Sequence, residues 1–256
     1  MKALGIDIGG TSLKVVYFDN SKIKSFFLKT PANKKDFLAL IKNLILENGG
    51  GNLDRIGFGV PGQVDHLKLV ARHVPNIPYL NGLDFGKFVR GLGLGRRPQV
   101  RLDNDVNCHL TAEIRFGAGR DLKNAVMIAI GSGIGGAILL NSEIYHGQGS
   151  AGEIGWTILD RELSFEQLAG GKTLRRFNTA EVKRVCHYAG IACANTINLL
   201  NPDAIILTGG VVHSNPIIKG ARKVMQKYII DPKARKTPLL HAQMGEFGAA
   251  FGAAWL

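Results

Sequence analysis

The chain has 256 residues, 45% apolar, 20% charged and 7% aromatic, the ordinary balance of a globular protein, with enough length to bury one large or two medium cores and with no low-complexity tract or internal repeat. Its net charge of +12 can attract polyanions. The basic residues are nevertheless scattered (Lys34-Lys35, Arg96-Arg97, Arg175-Arg176, Lys183-Arg184, Arg222-Lys223, residues 233–236), and no zinc-finger spacing, ribonucleoprotein motif or helix-turn-helix signature accompanies them. No dedicated nucleic-acid partner is therefore expected.

In chain order, residues 2–8, 13–18 and 23–28 are short apolar, β-rich runs separated by turn residues, which predicts a meander of hairpins. Phe37, Leu38, Leu40, Ile41, Leu44 and Ile45 recur at helical spacing over 36–46, and Gly49-Gly50-Gly51 stops that helix. Residues 56–60 read as a buried strand ending in Pro61-Gly62, and 100–102 as another that leads into a helix opened by Asp105. The second half follows the same plan in a different sequence. Strands are predicted at 125–130, 136–140 and 144–145, and a long helix at 179–200, where Ala189, Ala192 and Ala194 permit close packing. Asn201-Pro202-Asp203 breaks that helix, 204–207 forms a strand into Gly209-Gly210, and 215–228 and 245–256 read as helices. Strands followed by helices in each half predict two α/β lobes with a cleft between them.

Nothing marks the chain for export or for a membrane. It turns to Asp7 and glycines almost at once, which leaves no room for a signal-peptide apolar region, and apolar stretches such as 125–130 are far too short to span a bilayer. Cys108, Cys186 and Cys193 lack any C-x-x-C spacing and read as reduced, mostly buried thiols of a cytoplasmic protein.

The chemistry centres on Leu102-Asp103-Asn104-Asp105-Val106-Asn107, flanked in sequence by two glycine turns. At Asp7-Ile8-Gly9-Gly10-Thr11 the glycines let backbone N–H groups approach phosphate oxygens, Thr11 offers a hydroxyl, and Asp7 can hold magnesium through water. At Gly131-Ser132-Gly133-Ile134-Gly135-Gly136 the pattern fits a dinucleotide fingerprint. That fingerprint must open a helix, whereas Ala137-Ile138-Leu139-Leu140 continues as a strand, so the Rossmann reading is rejected. A carboxylate between two phosphate turns is what phosphoryl transfer to a hydroxyl requires.

These segments, in this order, resemble the ROK family (repressors, open reading frames and sugar kinases) of the actin, hexokinase and heat-shock chaperone ATPase superfamily. Ile6 to Thr11 resembles its first phosphate motif. Gly57-Phe58-Gly59-Val60-Pro61-Gly62 with Val64-Asp65 and Pro75-Asn76-Ile77 resembles its sugar-side loop. Asn104-Asp105-Val106-Asn107 resembles the catalytic segment, Gly131 to Gly136 the second phosphate motif and Ala151-Gly152-Glu153-Ile154-Gly155 the sugar signature. Leu207-Thr208-Gly209-Gly210 resembles the adenosine motif, and Gly248-Ala249-Ala250 the last helix.

The resemblance implies a two-lobed actin-like (ribonuclease H-like) α/β fold with an interlobe cleft. One lobe would span 1–104 plus 245–256, the other 105–244. It implies an ATP-dependent kinase, with magnesium, acting on a hexose or N-acetylated amino sugar, and a homodimer. Asp105 would be the general base. Asn104, Glu153, Glu166, Gly62, Asn76 and Trp156 would meet the sugar, and Asp7, Gly9, Gly10, Thr11, Lys14, Gly131, Ser132, Gly133, Gly209 and Gly210 the nucleotide.

Two departures bear on this. Members commonly carry a histidine where Trp156 stands, followed by zinc-binding cysteines, yet 157–171 contains no cysteine, so no zinc is expected. No helix-turn-helix precedes Met1, which disfavours the repressor branch. Two alternatives stay open: a polyphosphate-dependent kinase, which a cluster of Arg175, Arg176, Lys183 and Arg184 would favour, and a non-catalytic sugar sensor.

Overall fold

The apolar runs at the N-terminus pair as an antiparallel meander of β1 (Lys2–Ile8), β2 (Ser12–Asp19) and β3 (Lys22–Lys29). They belong to one of two units in a computed structural model that describes residues 1–20, 22–173, 178–212 and 215–256. The first unit is Met1–Arg115 with Gln148–Ser150 and Met244–Leu256. The second is Phe116–Gly147 with Ala151–Gln243.

In the first unit, α1 (Lys34–Glu47) starts where the Asn33 side chain accepts the Asp36 N–H, and it buries Phe37, Ile41, Leu44 and Ile45. Next come β4 (Arg55–Val60), a small hairpin of β5 (Gln63–Asp65) and β6 (Val70–His73), and the short α2 (Phe85–Arg90). Then β7 (Gln99–Asn104) runs directly into α3 (Asp105–Phe116). The sheet order is β3-β2-β1-β4-β7, with β1, β4 and β7 parallel. A last helix, designated α7 (Gly248–Ala253), lies on β1 and β4 so closely that a Cβ at Gly57 would run into the Ala253 carbonyl. Glycine is required there by backbone-to-backbone packing.

The second unit repeats the plan. β8 (Ala125–Ile130), β9 (Ile134–Leu140) and β10 (Glu143–Ile144) form the meander, and β13 (Ala204–Thr208) and β14 (Leu239–His241) add in parallel. The order β10-β9-β8-β13-β14 matches that of the first sheet. Between them lie a two-stranded hairpin, β11 (Ile158–Asp160) and β12 (Leu163–Ser164), then α4 (Phe165–Ala169), α5 (Thr179–Leu200) and α6 (Asn215–Met225). Val185, Ala189, Ala192, Cys193 and Ile197 of α5 join Val126, Ile128, Ile205 and Leu207 of the sheet in one core. All three cysteines are free and buried.

The helix expected over 215–228 ends at Met225 and continues as turns. The one expected over 245–256 begins as a 3-10 turn, Gly245–Phe247, before α7. β5, β6, α2, β11, β12 and β14 carried no sequence signal, because two to six residues are too few to show a period. Among the described residues no helix is long and apolar enough to cross a membrane.

Candidate active site

In the first unit the register of β1 against β2 sets Asp7 opposite Lys14, and cross-strand neighbours project from the same face. Lys14 Nζ lies 3.3 Å from Asp7 Oδ2. Burial raises the pKa of the Asp7 carboxyl, and the Lys14 ammonium opposes that rise. The turn between the strands is fastened at its base: the Gly9 N–H donates to the Ser12 carbonyl (3.0 Å), the Thr30 hydroxyl to the Gly9 carbonyl (2.6 Å) and the Thr30 N–H to the Thr11 carbonyl (3.1 Å). Gly10 and Thr11 are exposed, and their N–H groups have no acceptor among the described residues. Such a turn can take an anion on its backbone.

The start of α3 is built by two side chains so that a third stays available. Asp103 Oδ1 accepts the Asn104 N–H (2.7 Å) and the Asn107 side-chain amide (2.8 Å). Asn104 Oδ1 accepts the Val106 N–H at 2.8 Å, which makes Asn104 the N-cap, and its Nδ2 donates to the Gly62 carbonyl at 3.0 Å. Among the described residues the second amide hydrogen of Asn104 has no acceptor. Asp105 is half-buried and its Oδ1 accepts the neighbouring Val106 N–H at 3.0 Å. Burial first, and the charge of Asp7 second, push its pKa up to about 7, against the pull of the Val106 N–H and Lys14. A carboxylate near neutrality is matched to general-base work. Asn76 is exposed, with its Cβ 3.5 Å from where a Cβ of Gly10 would stand. The first unit thus gathers Asp7, Gly9, Gly10, Thr11, Lys14, Gly62, Asn76, Asn104 and Asp105.

In the second unit, residues 131–133 form the tight connection of the β8–β9 hairpin, with Ile130 paired to Ile134. A strand follows the glycines, as expected. The Gly131 N–H closes the turn on the Gly133 carbonyl (2.9 Å), while Gly171 and Lys172 N–H groups hold the Gly131 and Ser132 carbonyls at 2.7 and 3.0 Å. Ser132 and Gly133 N–H groups have no acceptor among the described residues. Beside the turn, a Cβ at Gly209 would collide with Ile130, and the Val211 N–H donates to the Ile130 carbonyl. The segment expected to meet adenosine therefore adjoins the segment expected to meet phosphate.

The sugar-signature segment packs on β9, where a Cβ at Gly152 would lie 2.6 Å from the Gly136 carbonyl. Glu153 opens the 3-10 turn Ile154–Trp156, and its pKa is raised by burial and, secondarily, by Glu166. Trp156 is not a core residue: it is 72% exposed. Glu166 reaches the second glycine turn itself, where its Oε2 accepts the Ile134 N–H at 2.6 Å. The β11–β12 hairpin is held by Leu159, packed on the core, and by the Tyr188 hydroxyl donating to Asp160 (3.1 Å).

Asp103, Asn107 and Thr30 were missed as site-building residues. Only the i, i+4 spacing of Asp103 and Asn107 across a helix start carried a signal. Arg175 and Arg176 lie outside the described residues. Lys183 is exposed, and Arg184 pairs with Glu181 Oε2 at 2.6 Å.

The ROK family model matches residues 3–176 and 172–256. The chain is 26% identical to a glucokinase of Halalkalibacterium halodurans, over 99% of this chain and 94% of that protein. It is 24% identical to an N-acetyl-D-glucosamine kinase of Haemophilus influenzae, over 98% of each. In fold it matches a ROK family glucokinase from Streptomyces griseus, in complex with glucose and AMPPNP, with a TM-score of 0.83 at 23% identity, covering 99% of this chain and 98% of that one. With both units folded on this plan and the family model matched almost from end to end, the chain belongs to the ROK family.

Proposed function

We infer that this chain is an ATP-dependent sugar kinase that transfers the γ-phosphate of ATP to a hydroxyl of a hexose or N-acetylated amino sugar. The observation that carries the reading is Asp105, a half-buried carboxylate whose pKa stands at about 7, beside the Asp7–Lys14 pair at the first glycine turn. The ionised Asp105 takes the proton of the sugar hydroxyl. The hydroxyl oxygen bonds to the γ-phosphorus, the bond from that phosphorus to the β–γ bridging oxygen breaks, and ADP leaves with those electrons. Asn104 directs its remaining amide hydrogen, and Glu153 its carboxylate, at sugar hydroxyls. Trp156 offers an exposed indole face to the apolar side of the ring.

The backbone N–H groups of Gly10, Thr11, Ser132 and Gly133 serve phosphate oxygens, where charge accumulates in the transition state. A magnesium ion suits Asp7: a hard carboxylate oxygen holds such an ion through its own waters, the remaining ligands coming from the phosphates. When bound, magnesium would neutralise charge on the transferred group.

The test is turnover of a panel of hexoses and acetylated amino sugars with ATP or polyphosphate, for the wild type and Asp105→Asn. The variant is expected to lose about 10²–10⁴-fold in kcat while its sugar affinity stays within a few-fold. Unchanged kcat in the variant overturns the base. Tight sugar binding with no turnover in the wild type overturns the kinase in favour of a sensor.

A further inference from the structure

Glu166 stands where the family resemblance puts a sugar ligand, yet its best-defined contact is elsewhere. Its Oε2 accepts the Ile134 N–H at 2.6 Å and lies 2.5 Å from where a Cβ on Gly133 would stand. The absence of a side chain at Gly133 is what admits the carboxylate to the turn. The helix that delivers it is fixed on both sides. Ser164 and Gln167 form a reciprocal capping box at its start, and Phe165, Leu168 and Ala169 are buried in the core.

Immediately beyond α4, the Gly171 and Lys172 N–H groups donate to the Gly131 and Ser132 carbonyls at 2.7 and 3.0 Å. One short segment therefore grips the second glycine turn at its two carbonyls and, through Glu166, at the N–H that follows it. With those groups engaged, the Ser132 and Gly133 N–H groups have no acceptor among the described residues.

We propose that Glu166 is a positioning residue for the phosphate donor: its carboxylate locks residues 131–134 in the conformation that presents the Ser132 and Gly133 N–H groups to phosphate oxygens. The proposal rests on the kinase reading above. It concerns the turn and makes no use of Glu166 Oε1. An amide oxygen can accept the Ile134 N–H as a carboxylate oxygen does, whereas alanine cannot, and aspartate is one methylene shorter.

The experiment measures nucleotide affinity calorimetrically in the absence of sugar, with ATP and magnesium, for the wild type, Glu166→Ala and Glu166→Gln. Thermal melting of each variant is followed alongside, and steady-state kinetics separate KM for ATP from kcat. The expected result is about a tenfold weaker ATP affinity in Glu166→Ala, with Glu166→Gln restored to within about threefold. A general packing defect would not be rescued selectively by glutamine on the nucleotide side. If the alanine variant is too unstable to assay, Glu166→Asp replaces it, with the same loss expected. An alanine (or aspartate) variant that binds ATP within twofold of the wild type overturns the positioning role while leaving the kinase intact. A wild type that binds no ATP would instead overturn the ATP-dependent kinase reading.

Discussion

Each of the two glycine turns has a carboxylate beside it, and the two carboxylates are handled differently. At the first turn Asp7 comes from the strand that enters it and faces Lys14 on the strand that leaves it. At the second, Glu166 comes from a separate helix and accepts the backbone N–H of Ile134. A negative charge next to a phosphate-binding turn is repulsive unless something offsets it. The first turn uses an ammonium, a full charge whose field extends to Asp105. The second uses a peptide dipole, which compensates at short range and adds rigidity. The first turn is closed by a hydroxyl and two backbone donors, the second by backbone donors and a carboxylate. One carboxylate therefore acts on the charge state of Asp105, while the other is bonded to the backbone of its turn.

The comparison makes its largest prediction through pH. On the proposed reading Asp105 accepts the proton only when ionised, and its pKa is raised to about 7. The kcat/KM profile should fall about tenfold per pH unit well below that value. Asp7 raises the Asp105 pKa and Lys14 lowers it, so Lys14→Met should move the acidic limb to higher pH and Asp7→Asn to lower pH. Glu166→Gln should leave the limb where it is, and a shift there would break the contrast between the turns. Stability carries the opposite sign. A carboxyl with a folded pKa above its unfolded value costs stability as pH rises from about 4 through about 7. Asp105→Asn should accordingly melt at an equal or higher temperature than the wild type at pH 8, while losing turnover.

Steric tolerance gives a smaller effect. A methyl group at Gly133 would press on the Glu166 carboxylate, whereas one at Gly10 meets only Asn76 at ordinary van der Waals distance. Gly133→Ala should cost about 1–3 kcal/mol in urea unfolding, as overpacking does, and Gly10→Ala less than about 0.5 kcal/mol. Equal losses would mean that the turns are fastened alike. Thr30→Val, which removes the hydroxyl from the Gly9 carbonyl, should cost about 1 kcal/mol in the same measurement.

The long elements were legible in the sequence because their periods are long enough to read. The α5 bounds, 179–200, and the β1 bounds, 2–8, coincide with the predicted ones. The β5–β6 and β11–β12 hairpins were invisible, since two to four residues of strand carry no period. Within the site, Asp105 was readable as a carboxylate at a helix start following a strand. Asp103 was not, because its task is to accept the Asn104 N–H and the Asn107 amide, and such bonds exist only once the helix has formed.

By itself the sequence carried the family resemblance, through its ordered motifs, and determined the longer strands and helices and the glycine turns, because these depend on local composition and spacing. Tertiary structure alone decided what surrounds each carboxylate. Asp7 meets Lys14 through strand register, and Asp105 owes its pKa near 7 to burial and a neighbouring charge. Glu166 lies on the second turn because a helix far along the chain is packed beside it. Burial, charge proximity and hydrogen-bond partners are properties of three-dimensional neighbourhood, and residue spacing along the chain does not encode them.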